Sequence, residues 1–279
     1  MSALRVVFSQ FYNEAYMLPW WLRHHREMFD HGVLIDSHST DGSADICRQL
    51  VPEWEVVRPE YTPFETLLRD FEFMKHEARF PGAWKIILNT TEFLVAPDLA
   101  VLEGAVEEKA VNAARLPAAI MVDREPDREP APDRPLVEQK CSGIWEQDLR
   151  SKPFDGFVSR YGSHGRVYHR YPIGAYTPGR HSSHLPGQVE AVPEQASIWW
   201  YAFSPWNAPF LARKRQIGAS IGEHDKKHGF GFQHQAADEA FEALHSGLAR
   251  LSGPLVSTGS RDAGAERPGI VGRLKRMFG

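Results

Sequence analysis

Three short runs in the first hundred residues concentrate carboxylates, amides and hydroxyls: Gln10–Glu14 (QFYNE), Asp36–Asp41 (DSHSTD) and Asn89–Glu92 (NTTE). Side chains of these types hold polar ligands by hydrogen bonds, and the carboxylates among them can also take up protons. Two histidine pairs raise metal chemistry. His181 and His184 have an H-x-x-H spacing, and His224 and His228 have H-x-x-x-H, which on a helix puts both rings on one face where zinc can sit. The glutamate that a zinc hydrolase carries between such histidines is missing, and Gly229-Phe230-Gly231 follows at once, so that chemistry is disfavoured. Trp20-Trp21 and Trp199-Trp200-Tyr201 suit a buried core and, equally, a cleft that stacks on sugars.

The elements that position these groups alternate. Leu4–Ser9 is a β-branched and aromatic run, hence a buried strand. From Ala15 to Phe29 apolar residues recur every three or four positions (Met17, Leu18, Trp21, Leu22, His25, Met28), the mark of an amphipathic helix. Val33–Ile35 predicts a second strand and Ser39–Leu50 a helix, with Ser39 or Thr40 as N-cap and Asp41 as an acid in its first turn. Glu55–Arg58 and Trp84–Leu88 predict further strands around a helix over Phe64–Arg79. This order requires crossover connections and a mainly parallel sheet with helices on its faces. Ligands of such sheets bind beyond the carboxyl ends of the strands, where all three polar runs fall.

After Pro97 the rhythm weakens. The pattern predicts a helix over Leu99–Ala114 and a strand over Leu116–Val122. The charge-alternating, proline-rich Asp123–Pro135 reads as an exposed spacer. Short strand-like pieces follow through residue 210, then helices over Phe210–Ile221 and Asp238–Leu251. This divides the chain into a catalytic domain at 1–251, with a nucleotide-binding half at 1–98 and an acceptor-side half at 99–251, and a flexible stretch at 252–279. That stretch ends in GIVGRLKRMFG, a short basic amphipathic segment able to lie on an anionic membrane surface.

The bulk numbers set bounds. With 279 residues the chain can bury a proper core, and a formal net charge of −4 supplies no global basic field for nucleic acid. Two cysteines, Cys47 and Cys141, fit a reduced compartment better than a disulfide scaffold. The first residues lack the pattern of a secretory signal, and no window approaches the roughly 18 apolar residues of a membrane span. The expectation is a cytoplasmic protein with, at most, peripheral membrane contact.

Taken in order, the runs Phe11-Tyr12-Asn13-Glu14, Leu18-Pro19-Trp20-Trp21-Leu22-Arg23-His24-His25 and Leu34-Ile35-Asp36-Ser37-His38-Ser39-Thr40-Asp41-Gly42-Ser43 resemble family 2 glycosyltransferases. The likeness is to the bacterial branch that reads NE, then W, HH, G, D and STDGS. Trp84–Leu94 (WKIILNTTEFL) falls where that branch has a W…D-x-D-E-F-L strand end, and a weaker echo follows at Pro178-Gly179-Arg180-His181 and around Arg213-Lys214. The resemblance covers residues 4–98. It implies an α/β fold of the GT-A-like (Rossmann-like) type: a mainly parallel sheet with helices on both faces and an irregular C-terminal part. It implies transfer of a sugar from a nucleotide-sugar donor to a glycan or other hydroxyl acceptor, by an inverting single displacement. Asn13, Glu14 and Asp36 occupy positions that line the family's nucleotide pocket, Asp41 being more simply a helix-start acid.

The D-x-D acids, which hold Mg²⁺ or Mn²⁺ on the donor diphosphate in the family, read Asn89 and Thr91 here. Hard cations prefer charged oxygens. Three readings stay open: a metal held by Glu92 and a histidine, of which His181 fits best; a metal-free site in which Arg180 or Arg213 stabilises the leaving diphosphate; or a degenerate site that binds without turnover. The displacement also needs a carboxylate base, sought among Glu146, Asp148 and Asp155, with Asp148 the choice and Glu92 beside it.

Overall fold

A computed structural model of the chain describes residues 3–62, 64–149, 164–228 and 238–255. Asp155 and the basic segment at 270–279, to which the sequence assigns roles, lie outside the described residues. The main sheet is built on four parallel strands in the spatial order β3 (Glu55–Val57), β2 (His31–Asp36), β1 (Arg5–Phe11) and β4 (Trp84–Ile87). Registers run Val6 opposite His31 and Arg5 opposite Trp84.

Strand period 2 sends alternate side chains to opposite faces. Val7, Leu34 and Ile86 pack on one face with α1 (Leu18–Arg26) and α2 (Ser43–Leu50). Val6, Phe8, Val33, Ile35 and Ile87 pack on the other with Phe73 of α3 (Thr66–Glu77). The chain is thus α/β, with a mainly parallel set of strands and helices on both faces, as expected from the sequence.

The helix expected to run to Ala114 stops early. It is α4 (Leu99–Glu108), capped by Asp98, whose carboxylate accepts from the Ala100 N–H at 2.8 Å. Ala110 turns left-handed (φ 53°), and β6 (Ala113–Leu116) enters the main sheet. A tertiary partner overrides the local apolar spacing: β6 pairs antiparallel with β9 (Arg166–His169), which also lies antiparallel against β4, and parallel with β10 (Gln188–Glu190) at the edge.

A second sheet carries β12 (Gly253–Pro254), β8 (Ser142–Trp145), β7 (Ala118–Val122), β11 (Ser197–Phe203) and β5 (Glu92–Val95), in that order. β5 has no signal of its own in the sequence, because its four residues directly continue the polar run after β4. It pairs antiparallel with β11, and Trp199 and Tyr201 of that strand are buried in the main core. Three helices follow: α5 (Ala208–Ser220), capped by the Asn207 side chain on the Phe210 N–H at 3.1 Å; α6 (Glu223–His228); and α7 (Asp238–Leu251). The Asp123–Pro135 stretch is more than a spacer. Although mostly exposed, it is tied to α1, with the Trp20 indole donating to the Ala131 carbonyl at 3.0 Å and Arg23 to that of Pro132 at 2.7 Å. No described helix is long and apolar enough to cross a membrane.

Candidate active site

A cavity of about 570 Å³ opens beyond the carboxyl ends of β1 and β4. The first hundred residues supply Gln10–Tyr12 and Glu14, Ser37 and His38, and Asn89–Glu92. The rest of the wall comes from Thr66 and Arg69 on α3, Gly179–His181, Trp200 on β11, and Arg213 and Lys214 on α5. All three polar runs therefore reach one rim.

They reach it in different states. Asn13 sits in the left-handed region (φ 50°), which Asn tolerates, and its side-chain oxygen accepts from the Thr40 N–H at 2.7 Å. Its own N–H donates to Ser39 Oγ at 2.9 Å. Asp36 accepts from the Ser39 N–H and from Arg58, both at 2.8 Å. Asp41 accepts from Ser43 N–H at 3.0 Å and Ala15 N–H at 3.0 Å, so it serves the start of α2 as expected. The cap residue itself is Gly42 (φ 86°), not Ser39 or Thr40, whose groups are drawn instead toward Asn13. Neither Asn13 nor Asp36 contributes to the described lining of the cavity; their neighbours Ser37 and His38 do. Glu14 does line it, buried and ion-paired with Arg213, and burial pushes its carboxyl pKa up against the pull of that guanidinium.

The strand end at Asn89–Glu92 departs most from expectation. Glu92 is fully buried, and both carboxylate oxygens receive Arg166, at 2.8 Å from Nε and 2.5 Å from Nη2. The Asn89 N–H adds a third donor at 2.8 Å. Asn89 turns its amide oxygen to Arg180 at 3.4 Å. His181 is half-buried with its Nδ1 enclosed, and desolvation with the charges of Arg166, His164 and Arg180 holds its imidazole pKa well below the usual range. A divalent cation here would meet two neutral side chains, a carboxylate already saturated by a guanidinium, and an imidazole set among positive charges. The residues at this strand end do not fit a metal, and Glu92 and His181 are not arranged as its ligands.

The cavity is furnished with cations instead. Arg180, itself left-handed (φ 65°), is ion-paired with Asp70 and lies 4.9 Å over the Phe73 ring. The Gly179 N–H donates to the same aspartate at 2.9 Å, which anchors the turn. Arg69 pairs with Glu72 at 2.5 Å. The Nε groups of Arg69 and Arg180 are buried without a hydrogen-bond partner among the described residues. Lys214 donates to the Ala202 carbonyl at 2.7 Å and lies 4.1 Å from the Phe241 ring, and burial pushes its ammonium pKa well down. Guanidinium groups on a cavity wall offer N–H donors and positive charge to an entering anion. Trp200 stacks on His164 at 3.5 Å between ring centroids and presents an aromatic face beside these charges.

Asp148 sits on a helical turn (Glu146–Leu149); burial raises its carboxyl pKa, but it is not in the described cavity wall. Sequence reasoning misses Asp70, Arg69 and Arg166. Only the i, i+3 spacing of Arg69 and Glu72 hints at a buried pair.

No protein-family model matches the sequence, and no curated protein does. A crystal structure of S. aureus TarS, residues 1–349, a staphylococcal glycosyltransferase, aligns with 12% identity and a TM-score of 0.38 over 78% of this chain and 65% of that one. This chain thus spans just under two thirds of that structure's length, and a likeness at this level fixes neither donor nor acceptor.

Proposed function

We propose that the protein is a glycosyltransferase that takes a sugar from a nucleotide-sugar donor and passes it to a hydroxyl acceptor, with inversion. The observation that carries this reading is the clustering of Arg69, Arg180, Arg213 and Lys214 around one cavity at the carboxyl ends of parallel strands. Preorganised cations stabilise the charge that develops on a departing diphosphate. In this reading residues 1–98 shape the nucleotide pocket, Asn13 and Asp36 through the loops they brace and Glu14 directly. The 99–251 half contributes the diphosphate-binding Arg180 and Arg213 together with the acceptor side. Trp200 offers a stacking surface for a sugar or base. Because Glu92 is committed to Arg166, it serves the integrity of the site and not proton transfer.

Incubation of the purified chain with a panel of nucleotide-sugars, read by mass spectrometry for released nucleotide, tests the proposal. Release from one donor class is expected, and its loss in an Arg180→Ala, Asp70→Asn double variant that keeps the wild-type circular dichroism ties it to this cavity. A second reading rests on Asn89 and Thr91 standing where acids are expected: a protein that binds the donor without turning it over. Stabilisation by a nucleotide-sugar with no release over hours would select that reading.

A further inference from the structure

Beside the cavity, and apart from the strand end, two helix starts cap each other. Asp225 of α6 accepts, through Oδ2, the Thr66 N–H at 2.9 Å and the Thr66 hydroxyl at 2.6 Å at the start of α3. Glu65 in turn accepts the N–H groups of His224 at 3.3 Å and Asp225 at 3.1 Å at the start of α6. Capping explains one oxygen of Asp225 and leaves the other. Asp225 Oδ1 is buried without a hydrogen-bond partner among the described residues, on a residue only 1% exposed. It lies 3.6 Å from His224 Nδ1, and that nitrogen lies 3.6 Å from Glu65 Oε2.

Two carboxylates brought together, with Asp225 buried and Glu65 partly so, are stabilised by a positive charge between them. Among the described residues no lysine or arginine is paired to either, and the nearby Lys226 is turned to Glu223 at 3.0 Å. The spacing is that of a metal's coordination shell: ligands about 2.1 Å from a tetrahedral cation stand about 3.4 Å apart. The backbone also makes room. A Cβ at Gly222 would lie 2.1 Å from Glu65 Oε1, so only glycine lets that carboxylate approach.

We infer that Glu65, His224 and Asp225 form a binding site for a first-row divalent cation such as Zn²⁺ or Mn²⁺. An imidazole nitrogen with two carboxylate oxygens suits these ions better than Mg²⁺. The donors leave a coordination position open, and Asp225 and Thr66 belong to the cavity wall, so a cation here adds positive charge to that wall. The inference stands independently of the transferase reading, because its test needs no nucleotide.

Metal-stripped full-length protein is titrated calorimetrically with ZnCl₂ and MnCl₂ alone. One equivalent is expected to bind, with affinity reduced at least about tenfold in His224→Ala, whose side chain is half exposed, and in Asp225→Asn. Gly222→Ala is expected to lose the site through displacement of Glu65. The melting temperature of metal-free His224→Ala should match wild type. Absence of uptake by wild type overturns the inference. Unchanged affinity in both His224→Ala and Asp225→Asn overturns it as well.

Discussion

The rim formed by residues 10–41 and the wall formed by residues 164–214 face the same cavity but spend their polar groups differently. On the rim, the side chains of Asn13, Asp36, Ser39 and Asp41 accept from the backbone N–H groups of Thr40, Ser39, Asn13 and Ser43 respectively and fix the loops after β1 and β2. On the wall, Arg180 from an irregular turn and Arg213 from α5 line the cavity, and each is steadied by an acid contributed by the earlier half, Asp70 and Glu14. A polar motif can therefore be the brace, while the groups that meet the ligand arrive from distant sequence.

The sharpest way to break this contrast is at Glu92. If it is a brace, Glu92→Ala leaves Arg166 buried and unpaired, and stability should fall by about 3–5 kcal/mol in urea denaturation. An unchanged midpoint would return Glu92 to the role of a free ligand. A smaller effect is expected from Arg213→Gln combined with Glu14→Gln, which removes both charges of the pair together and leaves neither buried alone. Nucleotide diphosphate affinity should drop by about 10- to 100-fold, the worth of one charged hydrogen bond, while the fold persists. Retained affinity would move the anion site away from α5.

A further effect concerns acid. His25 Nδ1 bonds the Trp21 carbonyl and its Nε2 accepts from the Leu94 N–H, an arrangement open only to neutral imidazole. Burial first, then the neighbouring His24, holds its pKa well below 6.5. A group depressed on folding stabilises fully above its unfolded value and loses that contribution as pH falls from there towards the folded value. Unfolding free energy should therefore decline below pH 6.5, by up to about 1.4 kcal/mol per pH unit for each such histidine, with His24 and His181 acting in the same sense. Urea midpoints that rise on acidification through this range would contradict it.

The fold is legible where periodicity is long. α1, α3, α7 and the four parallel strands stand close to where apolar spacing puts them, because each buries one face or both against a hydrophobic cluster. β5 and β6 are not legible in this way, since four-residue strands take their identity from pairing partners remote in sequence. The convergence of three polar runs follows from the parallel order alone. The commitment of Glu92 to Arg166, 74 residues away, cannot be read from either residue's neighbours. Arg180 and Arg213 are visible as candidates, but their acids are not, because pairing across the fold leaves no local spacing.

The central claim is that guanidinium groups, and not a metal at the Asn89–Glu92 strand end, hold a nucleotide diphosphate in this cavity. Calorimetric titration of the purified protein with UDP, GDP and CDP in excess EDTA tests it most directly. The account predicts that one of them binds stoichiometrically in EDTA to wild type and to His224→Ala alike; binding by His224→Ala that appears only after Mn²⁺ or Mg²⁺ is restored would contradict it.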